Sequence, residues 1–180
     1  DCRPEELGMK VHSFTVFTTY DHEESYRQVV EGEYDKSFYS CTAYSMIDET
    51  LAPAGKGVVH IFSLDHIKNW QGLSRRDYER KKEAVTEILL TKVERQLPGL
   101  RDHIAVRELG TPLTMKRYTS NPEGSIYGPS QIVTQSGLNR LTPETPVGGL
   151  YLVGSSIYHG GGYPSVISSG FRTANQVMTK

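Results

Sequence analysis

Gly160, Gly161 and Gly162 are the residues of this chain best suited to hold a ligand, because of what flanks them in GLYLVGSSIYHGGGYPSVISSGFRTAN, residues 149 to 175. The apolar run Leu150 to Val153 reads as a strand covered on both faces and ends at Gly154-Ser155-Ser156. From about Pro164 onward, Val166, Ile167, Gly170, Phe171, Ala174, Val177 and Met178 recur on one side at helical spacing. The glycines therefore precede a helix N-terminus. Unpaired N–H groups and the positive end of the helix dipole gather there and attract an anion or an electron-rich oxygen, and glycine lets a ligand come close to the backbone. This is the layout of a phosphate or cofactor cradle. A turn required only for its backbone angles accounts for the spacing equally well.

Named motifs narrow the chemistry. Gly160 to Ser165 fails the dinucleotide pattern GxGxxG because position 165 is serine, and no Lys-Ser or Lys-Thr follows as a P-loop requires. His159-Gly160-Gly161-Gly162 matches the HGGG oxyanion-hole signature of esterases, but no GxSxG nucleophile elbow occurs anywhere in the chain. An esterase is thereby disfavoured. The histidines show no HExxH and no Cys-His metal spacing, so no metal site is expected, and His12, His22, His60, His66 and His103 read as surface or satisfied core residues.

The elements that must position such a turn lie upstream. With 180 residues, 37% apolar composition and a formal net charge of −1, the chain carries no electrostatic footprint for nucleic acid. Its mean hydropathy of −0.46 is that of an ordinary globular protein. No run approaches about 18 apolar residues, so no transmembrane segment is expected, and Cys2 and Cys41 read as a reduced pair in a cytoplasmic setting. The chain opens at Asp1 and its first methionine is Met9, which suggests a piece of a longer polypeptide or a processed one. His12 to Tyr20, Ser37 to Met46 and Val58 to Leu64 read as strands of a meander, separated by a polar stretch (Asp21 to Lys36) and turn chemistry at residues 52 to 57. Ser74 caps a long helix with Asp77 at the capping-box position, and Tyr78, Val85, Ile88, Leu89, Val93 and Leu97 form its apolar stripe before Pro98-Gly99 ends it. The opposite, charged face reads as solvated. His103 to Leu109 is a further candidate strand, Thr111-Pro112 opens a short helix through Tyr118, and residues 121 to 146 are loop-rich.

The string from Gly149 to Ala174 resembles the C-terminal flavin-binding segment of the phytoene desaturase (carotenoid and retinoid oxidoreductase) branch of the FAD-dependent amine-oxidase-like superfamily. LPGLRDHI (97 to 104), TPLTMKRYT (111 to 119) and EGSIYG (123 to 128) resemble the family in the same order, so that the likeness covers residues about 57 to 178. It implies FAD as cofactor, with Gly154, Ser155 and Ser156 toward the ribityl and pyrophosphate part. Gly161, Gly162, Tyr163, Pro164, Ser165 and Val166 would face the flavin ring near N1 and the C2 oxygen, where the helix dipole favours negative charge. Two positions depart from the pattern. Ser155 stands where many relatives have Asp or Glu, and Ser165 replaces the second glycine of the family turn. His159 and Tyr163 are substrate-facing candidates, and no acid or base is assigned.

The family's N-terminal GxGxxG is absent, which leaves the adenosine half of the cradle to a missing segment or to another chain. The expected fold is α+β: a mostly antiparallel β substrate-type domain with an amphipathic helix over residues 1–147, then a strand-turn-helix at 148–180 completing an FAD-binding α/β domain. The expected function is the C-terminal portion of an FAD-dependent oxidoreductase, of desaturase, dehydrogenase or saturase type, acting on a hydrophobic, isoprenoid-like small molecule and inactive by itself. Alternatives are a non-catalytic scaffold that keeps the fold without cofactor, and an FAD-dependent amine oxidase. Peripheral membrane contact, a homo-oligomer or a complementing N-terminal chain complete the expected partners. Phe14, Val16, Phe17, Phe38, Tyr39, Tyr44, Val59, Ile61 and Phe62 are the apolar surface that in this family helps enclose a substrate.

Overall fold

Tyr39, Cys41 and Ala43 alternate with Ser40 and Thr42, and that alternation decides which way the central strand faces. The computed structural model describes residues 1–158 and 160–179. In it β1 (Ser13–Val16), β2 (Tyr39–Ala43) and β3 (Val59–Phe62) form an antiparallel sheet in that order, with Phe14 opposite Cys41 and Cys41 opposite Ile61. Tyr39, Cys41 and Ala43 are buried against Leu90, Val93 and Leu97 of the long helix region, with Met9 and Leu100 completing the cluster. The other face is polar: hydroxyl pairs Ser13–Thr42 (2.8 Å) and Thr15–Ser40 (2.7 Å) tie β1 to β2.

Between β1 and β2 lies a helix, α1 (His22–Glu31), where sequence alone suggests only a polar stretch. Asp21 caps it, accepting from the N–H groups of Glu23 and Glu24 at 3.0 and 3.1 Å, and Gly32 ends it with φ 68°. The long helix, α2 (Arg75–Glu94), starts as expected: Ser74 Oγ accepts from Asp77 N–H and donates to the Asp77 carboxylate. Val85, Leu89 and Val93 are buried, and Leu97 packs just beyond the last turn, where Pro98 disfavours helical backbone in the residue before it.

Arg75, Arg76, Glu79, Arg80 and Glu83 on the charged face of α2 are exposed as expected, while Lys82, Glu87 and Glu94 are tied to the chain beyond the helix. Arg101 pairs with Glu87 (2.6 Å) and Glu94 (2.7 Å), Arg107 with Glu87 (2.5 Å), and Lys82 with Glu108 (2.5 Å). These pairs hold residues 101 to 108 to the helix, so the expected strand over His103 to Leu109 does not form. A 3-10 turn, Leu100–His103, and irregular chain stand in its place. α3 (Pro112–Thr119) matches the expected short helix.

The chain divides into two compact units, Asp1–Leu113 and Thr114–Lys180. The first is a mixed α/β unit of three short strands with α1 and α2, rather than a mostly β domain. In the second, Leu150 to Val153 is not a strand. A strand needs neighbours for its N–H and C=O groups, and among the described residues this segment and its flanks find only single bridges, Leu141 with Ile157 and Glu144 with Tyr151. α4 (Tyr163–Met178) forms as expected but turns its polar side inward: Ser169 and Thr173 are buried, while Ile167, Val177, Met178 and the 71%-exposed Phe171 face outward. The apolar stripe is therefore not the packing face in this unit. Among the described residues, no helix is long and apolar enough to cross a membrane.

Candidate functional site

The glycine turn is built by three different physical requirements. Gly162 is the N-cap of α4 at φ 95°, ψ 147°, a backbone region that side chains exclude, and among the described residues nothing lies within 4 Å of where its Cβ would stand. Gly161 is glycine for another reason. A Cβ there would overlap Cβ and Cγ of Tyr127, whose ring lies against the turn. Gly160, at φ 72°, has Gln131 Nε2 3.1 Å and Arg140 Nη1 3.9 Å from its missing Cβ.

The helix that follows is open at its start. Val166 N–H bonds back to the Gly162 carbonyl at 3.0 Å, but no side chain among the described residues caps α4. Pro164 has no N–H to offer, and the N–H groups of Tyr163 and Ser165 have no partner within the helix. Tyr163 is 84% exposed, Pro164 is exposed, and Ser165 and Val166 are half-buried.

Gly154, Ser155 and Ser156 come to the same region by way of residues far off in sequence. Gly154, at φ 98°, donates its N–H to Ser169 Oγ on α4 at 3.0 Å. Ser155 offers its carbonyl to Arg140 Nη2 at 2.7 Å. Gly128 closes over Ser156, its missing Cβ standing 3.2 Å from Ser156 Oγ. Tyr158 N–H bonds to the Leu141 carbonyl at 2.9 Å, and Gly160 N–H to that of the buried Ile157 at 2.9 Å. The structure thus gathers the Gly154–Ser156 turn, the glycine turn and the start of α4 in one unit. His159 lies outside the described residues.

Arg140 and Tyr127 are the two contributors that sequence reasoning does not find. Tyr127 lies in a segment that resembles the family, yet its packing on Gly161 leaves no local signature. Arg140 follows a loop without periodicity. It is only 7% exposed, and its Nε and Nη1 have no hydrogen-bond partner among the described residues. An uncapped helix start, an open glycine and a buried guanidinium with spare donors suit an electron-rich or anionic group.

The Asp1–Leu113 unit carries a different feature, an apolar cleft of about 470 Å³. Val59 and Ile61 of β3, Leu89 and Leu90 of α2, and Leu100 and Ile104 line it, with His60 and His103 among its polar groups. Of the other apolar residues on the strands, Phe14, Val16 and Tyr39 pack in the sheet core, and Phe17 stacks on Phe38 with centroids 5.6 Å apart. Surface carboxylates of this unit, such as Glu24 and Glu33 beside Arg27, are held below the usual carboxylate range by their cationic partners, and two core groups are displaced by burial. Burial pushes the Cys41 thiol up to about 11 and the Lys92 ammonium down to about 8.

No family model matches the chain. It is 40% identical over 135 residues to the chloroplastic prolycopene isomerase of Daucus carota, covering 74% of this chain and 22% of that protein. It is 36% identical over 135 residues to the 4,4'-diapolycopene oxygenase of a Methylomonas species, covering 73% of this chain and 26% of that protein. The all-trans-retinol 13,14-reductase of Danio rerio is 25% identical over 174 residues, covering 87% of this chain and 29% of that protein. The chain spans between 22% and 29% of the length of these relatives. Through this set of homologues the chain belongs to the carotenoid and retinoid oxidoreductases of the amine-oxidase-like superfamily.

Proposed function

We propose that the chain contributes the flavin-side part of an FAD-dependent oxidoreductase that acts on an isoprenoid-like apolar substrate, working within a longer polypeptide or beside a complementing chain that carries the GxGxxG unit. The observation that carries this reading is the uncapped start of α4 behind the open Gly162. Gly154, Ser155 and Ser156 hold the ribityl and pyrophosphate side of FAD, and Gly161, Gly162, Tyr163, Pro164, Ser165 and Val166 border its ring. When bound, FAD supplies the two-electron exchange. The residues of this chain bind and orient. The N–H groups at the head of α4 favour negative charge beside the turn, and Tyr127 fixes the turn by packing on Gly161.

The apolar cleft of about 470 Å³ supports the substrate class. Its aliphatic walls (Val59, Ile61, Leu89, Leu90, Leu100 and Ile104) suit an apolar chain, while Asp1, Lys56, Arg107 and Glu108 put charge elsewhere in its lining. The relatives named for prolycopene, diapolycopene and retinol agree with that choice.

The test has two arms. The 180-residue chain purified by itself should come out without flavin, whereas the polypeptide or pair of chains that includes the GxGxxG unit should come out yellow. The flavoprotein should then exchange electrons with polyene or prenyl-chain compounds. Turnover confined to primary or secondary amines would overturn the substrate class, and a colourless assembled protein would overturn the cofactor.

A further inference from the structure

A guanidinium carries five N–H donors, and Arg140 uses one of its nitrogens, Nη2, on the Ser155 carbonyl at 2.7 Å. Its Nε and Nη1 are buried and have no partner among the described residues. No carboxylate among them forms an ion pair with it. A cation that is only 7% exposed and lacks both counter-ion and acceptors is unfavourable for folding by itself. Such a group is stabilised when an electron-rich oxygen arrives. Its place is specific: Nη2 grips the Gly154–Ser156 turn, while Nη1 stands 3.9 Å from the missing Cβ of Gly160, at the edge of the glycine turn. Arg140 bonds to one lip of the cradle and stands beside the other.

We infer that Arg140 is a cofactor-binding residue whose free Nε and Nη1 donate to an electron-rich oxygen of the flavin nucleotide, an inference that rests on the FAD reading above. The oxygen belongs either to the pyrophosphate or to the pyrimidine end of the flavin ring, and both present the same acceptor chemistry to a guanidinium. Ser155, next to the guanidinium, brings no carboxylate to compete for the cation.

The experiment uses the assembled flavoprotein with R140M and R140Q. R140Q keeps a donor toward the Ser155 carbonyl without the charge, and R140M removes both. Each is titrated with FAD and with riboflavin, followed by quenching of flavin fluorescence, and the flavin-free proteins are melted in parallel. Both variants should bind FAD about tenfold or more weakly, in line with loss of a charge-assisted hydrogen bond. The flavin-free melting temperature should hold or rise, because an unpaired buried charge has gone. A loss confined to FAD locates the contact at the pyrophosphate. An equal loss with riboflavin, joined by a lowered flavin reduction potential, locates it at the ring. FAD affinity equal to that of the unsubstituted protein in a folded R140Q overturns the inference and leaves the FAD reading standing. Flavin-free variants that both fail to fold also overturn it, since Arg140 is then scaffold alone. An unsubstituted assembled protein that binds no flavin overturns the reading and the inference together.

Discussion

Tyr39 and Lys92 hold each other in the core of the Asp1–Leu113 unit: the Tyr39 hydroxyl donates to the Lys92 carbonyl at 3.0 Å, and the Lys92 ammonium lies 5.2 Å from the centroid of the Tyr39 ring. The ammonium also donates to the carbonyls of Tyr34, at 2.8 Å, and Ser37. One buried lysine thereby joins α2 to β2 and to the chain that enters it. Burial lowers its ionisation to about 8.

The sign of the resulting pH dependence follows. Below pH about 8 the lysine is charged whether folded or unfolded, and the fold carries the cost of a buried ammonium. Between about 8 and the ordinary lysine value near 10.4, the folded chain releases the proton while the unfolded chain keeps it, so this group's contribution rises with pH. Cys41 acts in the opposite sense: its thiol is held up to about 11, so its contribution is lost as pH climbs from about 8.5. Comparing the chain with K92M isolates the lysine. K92M should be about 1–2 kcal/mol less stable near pH 7, since two carbonyls lose their donor. In urea melts that gap should widen toward pH about 10, and a constant gap would refute the assignment.

Asp65 should prove costly to remove. Its carboxylate accepts from Tyr34 Oη (2.9 Å), Asn69 Nδ2 (2.8 Å), Trp70 Nε1 (2.5 Å) and the His66 N–H (2.7 Å). D65A leaves the buried indole and the half-buried phenol without an acceptor and should cost about 2–4 kcal/mol. Trp70, the single tryptophan and only 1% exposed, makes its own readout. Its emission should shift to the red in D65A and much less in D65N. Unchanged emission and stability would exclude the cluster as a determinant of the core.

Gly161 and Gly162 should fail in different ways. G161A drives a methyl into Tyr127 and should destabilise the flavin-free protein by about 1–3 kcal/mol, with much of the loss recovered in the double variant Y127A/G161A. G162A meets open space and carries only the strain of its backbone angles, which Y127A cannot relieve. Additive losses in Y127A/G161A would show that the ring does not dictate the glycine.

The two cysteines should separate by reactivity. Cys2 is half-buried, whereas Cys41 is fully buried with its thiol held up to about 11. Alkylation at neutral pH should label Cys2 alone, and Cys41 should follow only as the sheet unfolds. Rapid labelling of Cys41 in folded protein would contradict the packing of β2 against α2.

Local patterns are the part of this fold that the residues announce. Ser74 with Asp77, Thr111 with Pro112 and the period from Val166 onward fix three helices, because caps and helical spacing act over a few residues. The same rules could have found α1, since Asp21 as cap and Gly32 as stop bracket it, but the high charge of its sequence hides the apolar side. Pairing is harder to read. Leu150 to Val153 has the composition of a central strand, and whether it becomes one depends on neighbours that no short window contains. In the site, the glycines stand out by type, whereas Arg140 and Tyr127 reach it through contacts across loops.

The outward stripe of α4 governs how this chain behaves as a colloid. Ile167, Phe171 and Met178 present a greasy ridge to water, and a formal net charge of −1 gives neighbouring molecules little reason to stay apart. Concentrated solutions of the chain near neutral pH should scatter light and bind hydrophobic dyes. Exchanging Phe171 for glutamate should clear them while Ser169 and Thr173, on the opposite side, keep the helix in place.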